Sequence, residues 1–357
     1  MALERGQRLG ELTVAAPIGE GSHAAIYKVR HDDGTRAALK VLHTTDPVAK
    51  ERLAREGRAL AALKHPNVVQ LFGTLEVDHR QALLMELVAG PTLADWMDAG
   101  GARGVDEALD LFRGIARGVQ AVHSVGLVHR DLNPGNILLS ISATKRVVPK
   151  LVDFGLVRLP NAPGLTRPGA MGTPAYMAPE QTVDGRQASE RSDLYALGCI
   201  LYELVAHERA FQGADTLTLY EAAKQETYLP LRTVRPEVPD YVGDVVTQLL
   251  RADPADRFES VAEVLETLYL DDVPDVTEDL VPEVFQVWSE ARVSTATAAA
   301  VREMAPAKTV PVVPRTAEPE AAATAATAVP RPVVIGLFVG GLVGLVLGVL
   351  LAWLVLA

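Results

Sequence analysis

Val128-His129-Arg130-Asp131-Leu132-Asn133-Pro134-Gly135-Asn136, followed fifteen residues later by Leu151-Val152-Asp153-Phe154-Gly155, is the stretch on which the reading of this chain turns. It places two aspartates and two asparagines, all hard oxygen donors, in short polar windows between apolar runs. Ala178-Pro179-Glu180 follows further along. Finding His-Arg-Asp, Asp-Phe-Gly and Ala-Pro-Glu in this order by accident has negligible probability. Upstream, Lys40 sits in Ala37-Ala38-Leu39-Lys40-Val41-Leu42, a strand otherwise apolar on both faces. A lysine there is costly unless it is paired or holds an anion. Glu56, on the helical pattern from Val48 to Leu63, is the natural partner, although an ordinary solvated helix face would also account for it. Further upstream, Ile18-Gly19-Glu20-Gly21-Ser22-His23-Ala24-Ala25-Ile26 joins two strands rather than a strand and a helix. That disfavours a dinucleotide-binding fold, where the glycines open a helix. It suits a hairpin whose bare backbone can approach phosphates, or a plain turn.

The chain has 357 residues, 34 Lys+Arg against 45 Asp+Glu, and a single cysteine, Cys199. One cysteine rules out a disulfide framework and fits a reducing compartment. The net charge of −11 argues against a general nucleic-acid binder. No apolar stretch follows the N-terminus, so no signal peptide is expected. Residues 10–270 read as one globular domain, β-rich at first and helical after Gly90, with Asp32-Asp33-Gly34-Thr35 as a tight-hairpin signal. Residues 271–290 hold seven acidic residues and no basic one. Val276 to Trp288 within them is read equally well as an amphipathic helix packed on the domain or as a solvated acidic run. Residues 291–332 are rich in Ala, Thr and Pro and read as a flexible linker. From Val333 to Ala357 there is no charge. About 20 residues span a bilayer core, so 333–356 are expected to form a transmembrane helix. Gly336, Gly340, Gly344 and Gly348 share one face of it, which would let two copies approach as a homodimer. The ordinary glycine richness of such helices accounts for the stripe equally well.

With these motifs in order, the chain resembles the eukaryotic-type (Hanks-type) serine/threonine protein kinases in the form bacteria also use, over residues 10–270. The resemblance implies an α+β, bilobal kinase fold with a small β-rich N-lobe and a larger helical C-lobe. It implies phosphotransfer from ATP to Ser or Thr hydroxyls of protein substrates, with Mg2+, or alternatively Mn2+, as the metal. Gly19, Glu20, Gly21 and Ser22 would then cover the phosphates, with Ile18 and Ile26 near the adenine. Lys40 would hold the α- and β-phosphates and pair with Glu56. Met85 would stand at the back of the nucleotide pocket, and Glu86 to Val88 would form the hinge that reads the adenine edge. Asp131 would accept the substrate's hydroxyl proton, and Asn136 and Asp153 would hold the metal. Glu180 would pair with Arg257, Asp193 would brace the catalytic-loop backbone, and His129 would support the loop from the core. A small-molecule kinase of similar fold is disfavoured by the docking segment that starts at Gly172-Thr173.

Two positions depart from the family. Ala24 replaces the third glycine of the phosphate loop. More seriously, Asn133 stands two residues after Asp131, where the family usually has the lysine that touches the γ-phosphate. Losing a charge-assisted hydrogen bond of about 1.5–3 kcal/mol would slow transfer roughly 10- to 100-fold. Asn133 can still bridge Asp131 and Thr173. An attenuated kinase or a pseudokinase scaffold is therefore the alternative reading. Arg130 beside Asp131 marks a kinase whose activation segment is ordered by a phosphate, and Thr166 is the expected autophosphorylation site, ahead of Thr173. Because ATP is cytosolic, residues 1–332 are expected to face the cytoplasm of a tail-anchored, single-pass protein of the cell membrane, with Arg331 just inside.

Overall fold

A computed structural model describes residues 2–21, 24–43, 45–102, 104–142, 146–154 and 174–270. Ser22, Gly155, Thr166, Thr173 and residues 271–357, with the acidic run, linker and expected membrane helix, lie outside the described residues. Among the described residues no helix is long and apolar enough to cross a membrane.

The N-terminal part is an antiparallel sheet of β1 (Arg8–Leu9), β2 (Leu12–Glu20), β3 (Ala24–His31), β4 (Arg36–Leu42), β5 (Leu71–Val77) and β6 (Arg80–Glu86), in the order β1-β2-β3-β4-β6-β5. The expected hairpin joins β3 to β4. Gly34 takes φ +93°, the His31 and Thr35 backbones close the turn at 2.8 Å, and the Asp33 side chain accepts from the Thr35 amide at 2.7 Å. Pro17 is tolerated in β2 because β1 pairs only with Leu12 and Thr13, leaving Pro17 on an open edge. The period of two along β4 divides it cleanly. Ala37, Leu39 and Val41 belong to one apolar cluster with Leu3, Val14, Val29 and Leu84. Ala38 and Leu42 join the main core on the other side, the side that Lys40 shares. Helix α1 spans Pro47–Ala62, one residue off the expected Val48–Leu63. Leu53 and Leu60 are buried against the sheet, and proline sits where its missing N–H costs nothing.

The larger part is helical: α2 (Leu93–Asp98), α3 (Val105–Ser124), α4 (Pro179–Val183), α5 (Glu190–Ala206), α6 (Thr216–Lys224), α7 (Leu231–Val234), α8 (Asp240–Leu249) and α9 (Val261–Thr267), with a hairpin of β7 (Ile137–Ile141) and β8 (Val147–Leu151) between α3 and α4. Helix α5 is apolar nearly all round and is buried from Ser192 onward apart from Glu203, as a central core helix must be. Cys199 lies inside it, and burial pushes its thiol well above the ordinary range. Two glycines allow close approach. A Cβ on Gly198 would come within 2.6 Å of Leu249 Cβ, and one on Gly118 within 2.7 Å of the Asn67 carbonyl. The same Cβ would come within 3.1 Å of the Leu151 side chain, so Gly118 also lets α3 pack closely on β8, whose Leu151 leads directly to Asp153.

Candidate active site

Lys40 occupies the middle of β4, opposite Ile26 on β3 and Leu83 on β6. Its side chain is 13% exposed, and Nζ donates to Asp153 Oδ1 at 2.6 Å across 113 residues of sequence. The lysine that no apolar strand would keep without a partner thus has a carboxylate from the other lobe. Glu56 falls on α1, and its side chain lies outside the described residues, as does any pairing of it with Lys40. Asp153 adopts φ +58° and Arg130 adopts φ +67°, a left-handed region uncommon for non-glycine residues.

The constraint on Arg130 is visible. Asp193, 1% exposed at the start of α5, accepts the amides of His129 at 2.8 Å and Arg130 at 2.9 Å, while Gln181 Nε2 donates to the Arg130 carbonyl at 3.1 Å. His123 Nε2 meets the same Asp193 carboxylate at 2.8 Å. This is the backbone brace expected of Asp193. His129 is fully buried, its ring 4.9 Å from that of Phe154, with Nε2 3.1 Å from the Val152 carbonyl. Burial lowers its pKa, so the neutral ring carries its proton on Nε2 and donates it to that carbonyl. Nδ1 then needs only to be a lone pair, and it has no hydrogen-bond partner among the described residues.

Inside this brace the loop is tied to itself. Asn133 caps the 3-10 turn Pro134–Asn136, its Oδ1 accepting the Gly135 amide at 3.0 Å. Its Nδ2 donates to Asp131, at 2.9 Å to the carbonyl and 3.3 Å to carboxylate Oδ1. The expected bridge to Asp131 is therefore present; its other end, Thr173, is outside the described residues. Asn136 Nδ2 donates to the Asp131 carbonyl at 2.8 Å, and its own carbonyl accepts the Val152 amide at 3.0 Å, one residue before Asp153. Asp131, Asn133, Asn136, Asp153 and Lys40 are thus brought into one connected constellation.

The residues expected around a nucleotide also cluster on the sheet side. Met85, 8% exposed, lies opposite Ala38, two positions from Lys40. Gly19 pairs with Ile26, Ile18 is 51% exposed, Glu20 pairs with Ala25, and the Gly21 amide closes the loop on the Ala24 carbonyl at 2.9 Å. Val88 packs against the core just after β6. Glu86 is held from behind: its amide donates to the Gln70 carbonyl at 2.9 Å, and its Oε2 accepts from Lys150 Nζ at 3.0 Å and from the Gln70 amide at 3.3 Å. Lys150, on β8, was not singled out by sequence reasoning. Its setting among Val147, Val148, Pro149 and Leu151 is the signal that exposed Lys40: a cation in an apolar strand needs a partner.

Arg257, fully buried in its side chain, grips Glu180 with both guanidinium nitrogens at 2.9 Å and lies 4.9 Å from the Tyr195 ring. This is the structural pair expected. Burial opposes the Glu180 carboxylate, but Arg257 and the Ser192 hydroxyl outweigh it and hold its pKa below the ordinary value.

For a metal, the available donors are the Asp153 carboxylate and the Asn136 amide oxygen, since the Asn136 nitrogen is committed to Asp131. These are hard oxygen donors of the kind magnesium or manganese takes. Among the described residues no group of three or more His, Cys, Asp or Glu side chains forms a ready-made metal cage. A metal here would share its ligands with a substrate's phosphates.

The family model for the protein kinase domain matches residues 12–270. The chain is 34% identical over 254 residues to the probable serine/threonine-protein kinase PknB of Lactococcus lactis, covering 70% of this chain and 40% of that protein. It is 38% identical over 236 residues to the serine/threonine-protein kinase PknA of Mycobacterium tuberculosis, covering 64% and 53%. Among solved structures it is similar to Rad53 1-466 in complex with AMP-PNP, with a TM-score of 0.60 and 28% identity over 73% of this chain and 65% of that one. The chain spans less than two thirds of the length of these relatives. With the motifs, the lobes and the family model in agreement, this chain belongs to the protein kinase domain family.

Proposed function

We propose that the protein is a serine/threonine protein kinase that transfers the γ-phosphoryl group of ATP to hydroxyls of protein substrates, itself included. The observation that carries this reading is the Lys40–Asp153 contact at 2.6 Å, which joins the two lobes beside Asp131 and Asn136. An apolar strand would not keep this cation, nor would Asp153 keep φ +58°, for packing alone. Lys40 holds the α- and β-phosphates. Asp131 receives the substrate's hydroxyl proton while that oxygen bonds to the γ-phosphorus and the bond from phosphorus to the β–γ bridging oxygen breaks, leaving ADP. Met85, Ile18, Ile26 and Val88 line the adenine site, and the backbone from Glu86 to Val88 reads its edge. Asn136 and Asp153 hold a divalent cation, magnesium or manganese, whose chemistry is to neutralise charge on the transferred group.

The second reading, an attenuated kinase or pseudokinase scaffold, is favoured by one observation. Asn133 is spent on Asp131 and Gly135 and supplies no cation. Incubation of the full chain with labelled ATP and magnesium, beside its Asp131→Asn variant, separates the two. Label in the parent and at least ~100-fold less in the variant supports the enzyme, and label in neither supports the scaffold. The membrane tether is proposed from the charge-free residues 333–357, with the kinase domain in the cytoplasm and a dimer through the face of Gly336, Gly340, Gly344 and Gly348. Carbonate-resistant membrane association that is lost on deleting 333–357 is the expected result. Soluble full chain would refute it.

A further inference from the structure

A second charged feature lies on the face of α3 beside β8 and touches the candidate active site through Lys150, which holds Glu86. Arg113 and Arg117 are one turn apart on α3, and Arg146 and Lys150 flank and enter β8, the strand that Gly114 and Gly118 hold against α3. Arg113 is buried beside Asp110, and burial lowers its pKa, with the charges of Arg117 and Arg146 pushing the same way. Burial likewise lowers His65, and Arg117 and Lys150 add to that. Arg117 and Arg146 therefore lie within electrostatic reach of Arg113, and Arg117 and Lys150 within reach of His65. Among the described residues, the carboxylates ion-paired with these cations include Asp110 and Glu86.

The chain leaves the described domain at this spot. Arg117 donates to the carbonyl of Leu270, itself buried, at 3.4 Å. The next residues are Asp271 and Asp272, then Asp275, Glu278, Asp279, Glu283 and Glu290, with no Lys or Arg before Arg292. A trans chain advances at most about 3.6 Å per residue, so Asp271 and Asp272, the first residues after Leu270, need no long span to reach Arg117. We propose that the acidic segment 271–290 docks back on the basic face of α3 and β8 as an intramolecular strap. The strap fixes where the linker starts and covers the side of β8 from which Lys150 holds Glu86. It does not depend on the chain being catalytically active.

The test uses the full chain in nanodiscs of phosphatidylcholine, cut with a glutamyl endopeptidase that acts at Glu278, Glu283 and Glu290. Rates are normalised to a free peptide of residues 271–290 in the same buffer. Exposed ion pairs each contribute a factor of about 1.4 to 5, so three give about tenfold protection at about 0.01 M salt. That protection should vanish near 1 M, where the screening length falls to about 3 Å. Asp271→Asn/Asp272→Asn/Asp275→Asn should be cut at the unprotected rate at both salts, without altering any residue of the described domain. Arg117→Gln/Arg146→Gln should behave alike. Equal rates for the parent and the triple variant at low salt overturn the proposal. So does protection that appears only when phosphatidylserine is added to the discs, since the basic face would then serve lipid headgroups.

Discussion

Replacing Asn133 by lysine sets two effects of known size against each other. The gain is a cation two residues after Asp131, where a charge-assisted hydrogen bond to the transferred phosphoryl group is worth about 1.5–3 kcal/mol, or roughly 10- to 100-fold in rate. The loss is local. Lysine cannot accept the Gly135 amide now bound by Asn133 Oδ1 at 3.0 Å, a cap worth about 1 kcal/mol. The amide donor 3.3 Å from the Asp131 carboxylate is replaced by an ammonium that can take its place. Asn133→Lys should therefore raise kcat about tenfold or more while lowering the melting temperature by about 2–4 °C. Asn133→Ala loses the cap and the Asp131 contact and gains nothing, so both kcat and stability should fall. Steady-state phosphorylation of a generic protein substrate, beside thermal unfolding of the same preparations, gives both readouts. An Asn133→Lys variant that is as slow as Asn133→Ala would refute the reasoning, because it would mean the site gains nothing from a cation there.

Four further outcomes follow from the geometry of the domain. Arg257→Met should destabilise the domain by about 3–5 kcal/mol in urea, because it strands the buried Glu180 carboxylate, whereas Arg257→Met/Glu180→Gln should recover much of that loss. Glu180 titrates lower in the folded than in the unfolded chain, so its contribution is complete above the unfolded carboxylate value near ~4.3 and is lost as pH falls through the folded one. The parent, but not Glu180→Gln, should lose this increment of stability in acid unfolding curves. Lys150→Met should raise the KM for ATP severalfold with kcat nearly unchanged, since it releases Glu86 from behind the hinge without touching the reacting groups; a fall in kcat alone would contradict that. Gly118→Ala should cost about 1–3 kcal/mol of unfolding free energy, because its Cβ would meet the Asn67 carbonyl at 2.7 Å and a backbone atom cannot swing aside.

Much of the site is legible in the sequence because the chemistry is concentrated in short windows. Asp131, Asn133 and Asn136 fall within six residues, and a single turn capped by Asn133 orders them. Lys40 declares itself by being a charge in an apolar strand. Helix α1 and the β3–β4 hairpin are legible for the same local reason: period and turn residues act between near neighbours. Lys150 and Gln70 are not, since neither carries a local pattern that names Glu86 as its partner. Nor is the link from His123 to Asp193, 70 residues apart.

The sequence alone determined which groups this protein has for handling a phosphate: a lysine, two aspartates and their asparagines, in fixed order, with an acidic run and a charge-free stretch beyond the domain. Only the tertiary structure decided how they combine. It joined Lys40 to Asp153 across 113 residues and hung the His129–Arg130 backbone on a buried aspartate more than sixty residues downstream. It also turned Asn133 from a missing cation into a cap that holds Asp131. The physical reason is that a buried charge must find an opposite charge or a donor wherever the packed core presents one. Which one it finds is set by how helices and strands pack, and no window of sequence contains that information.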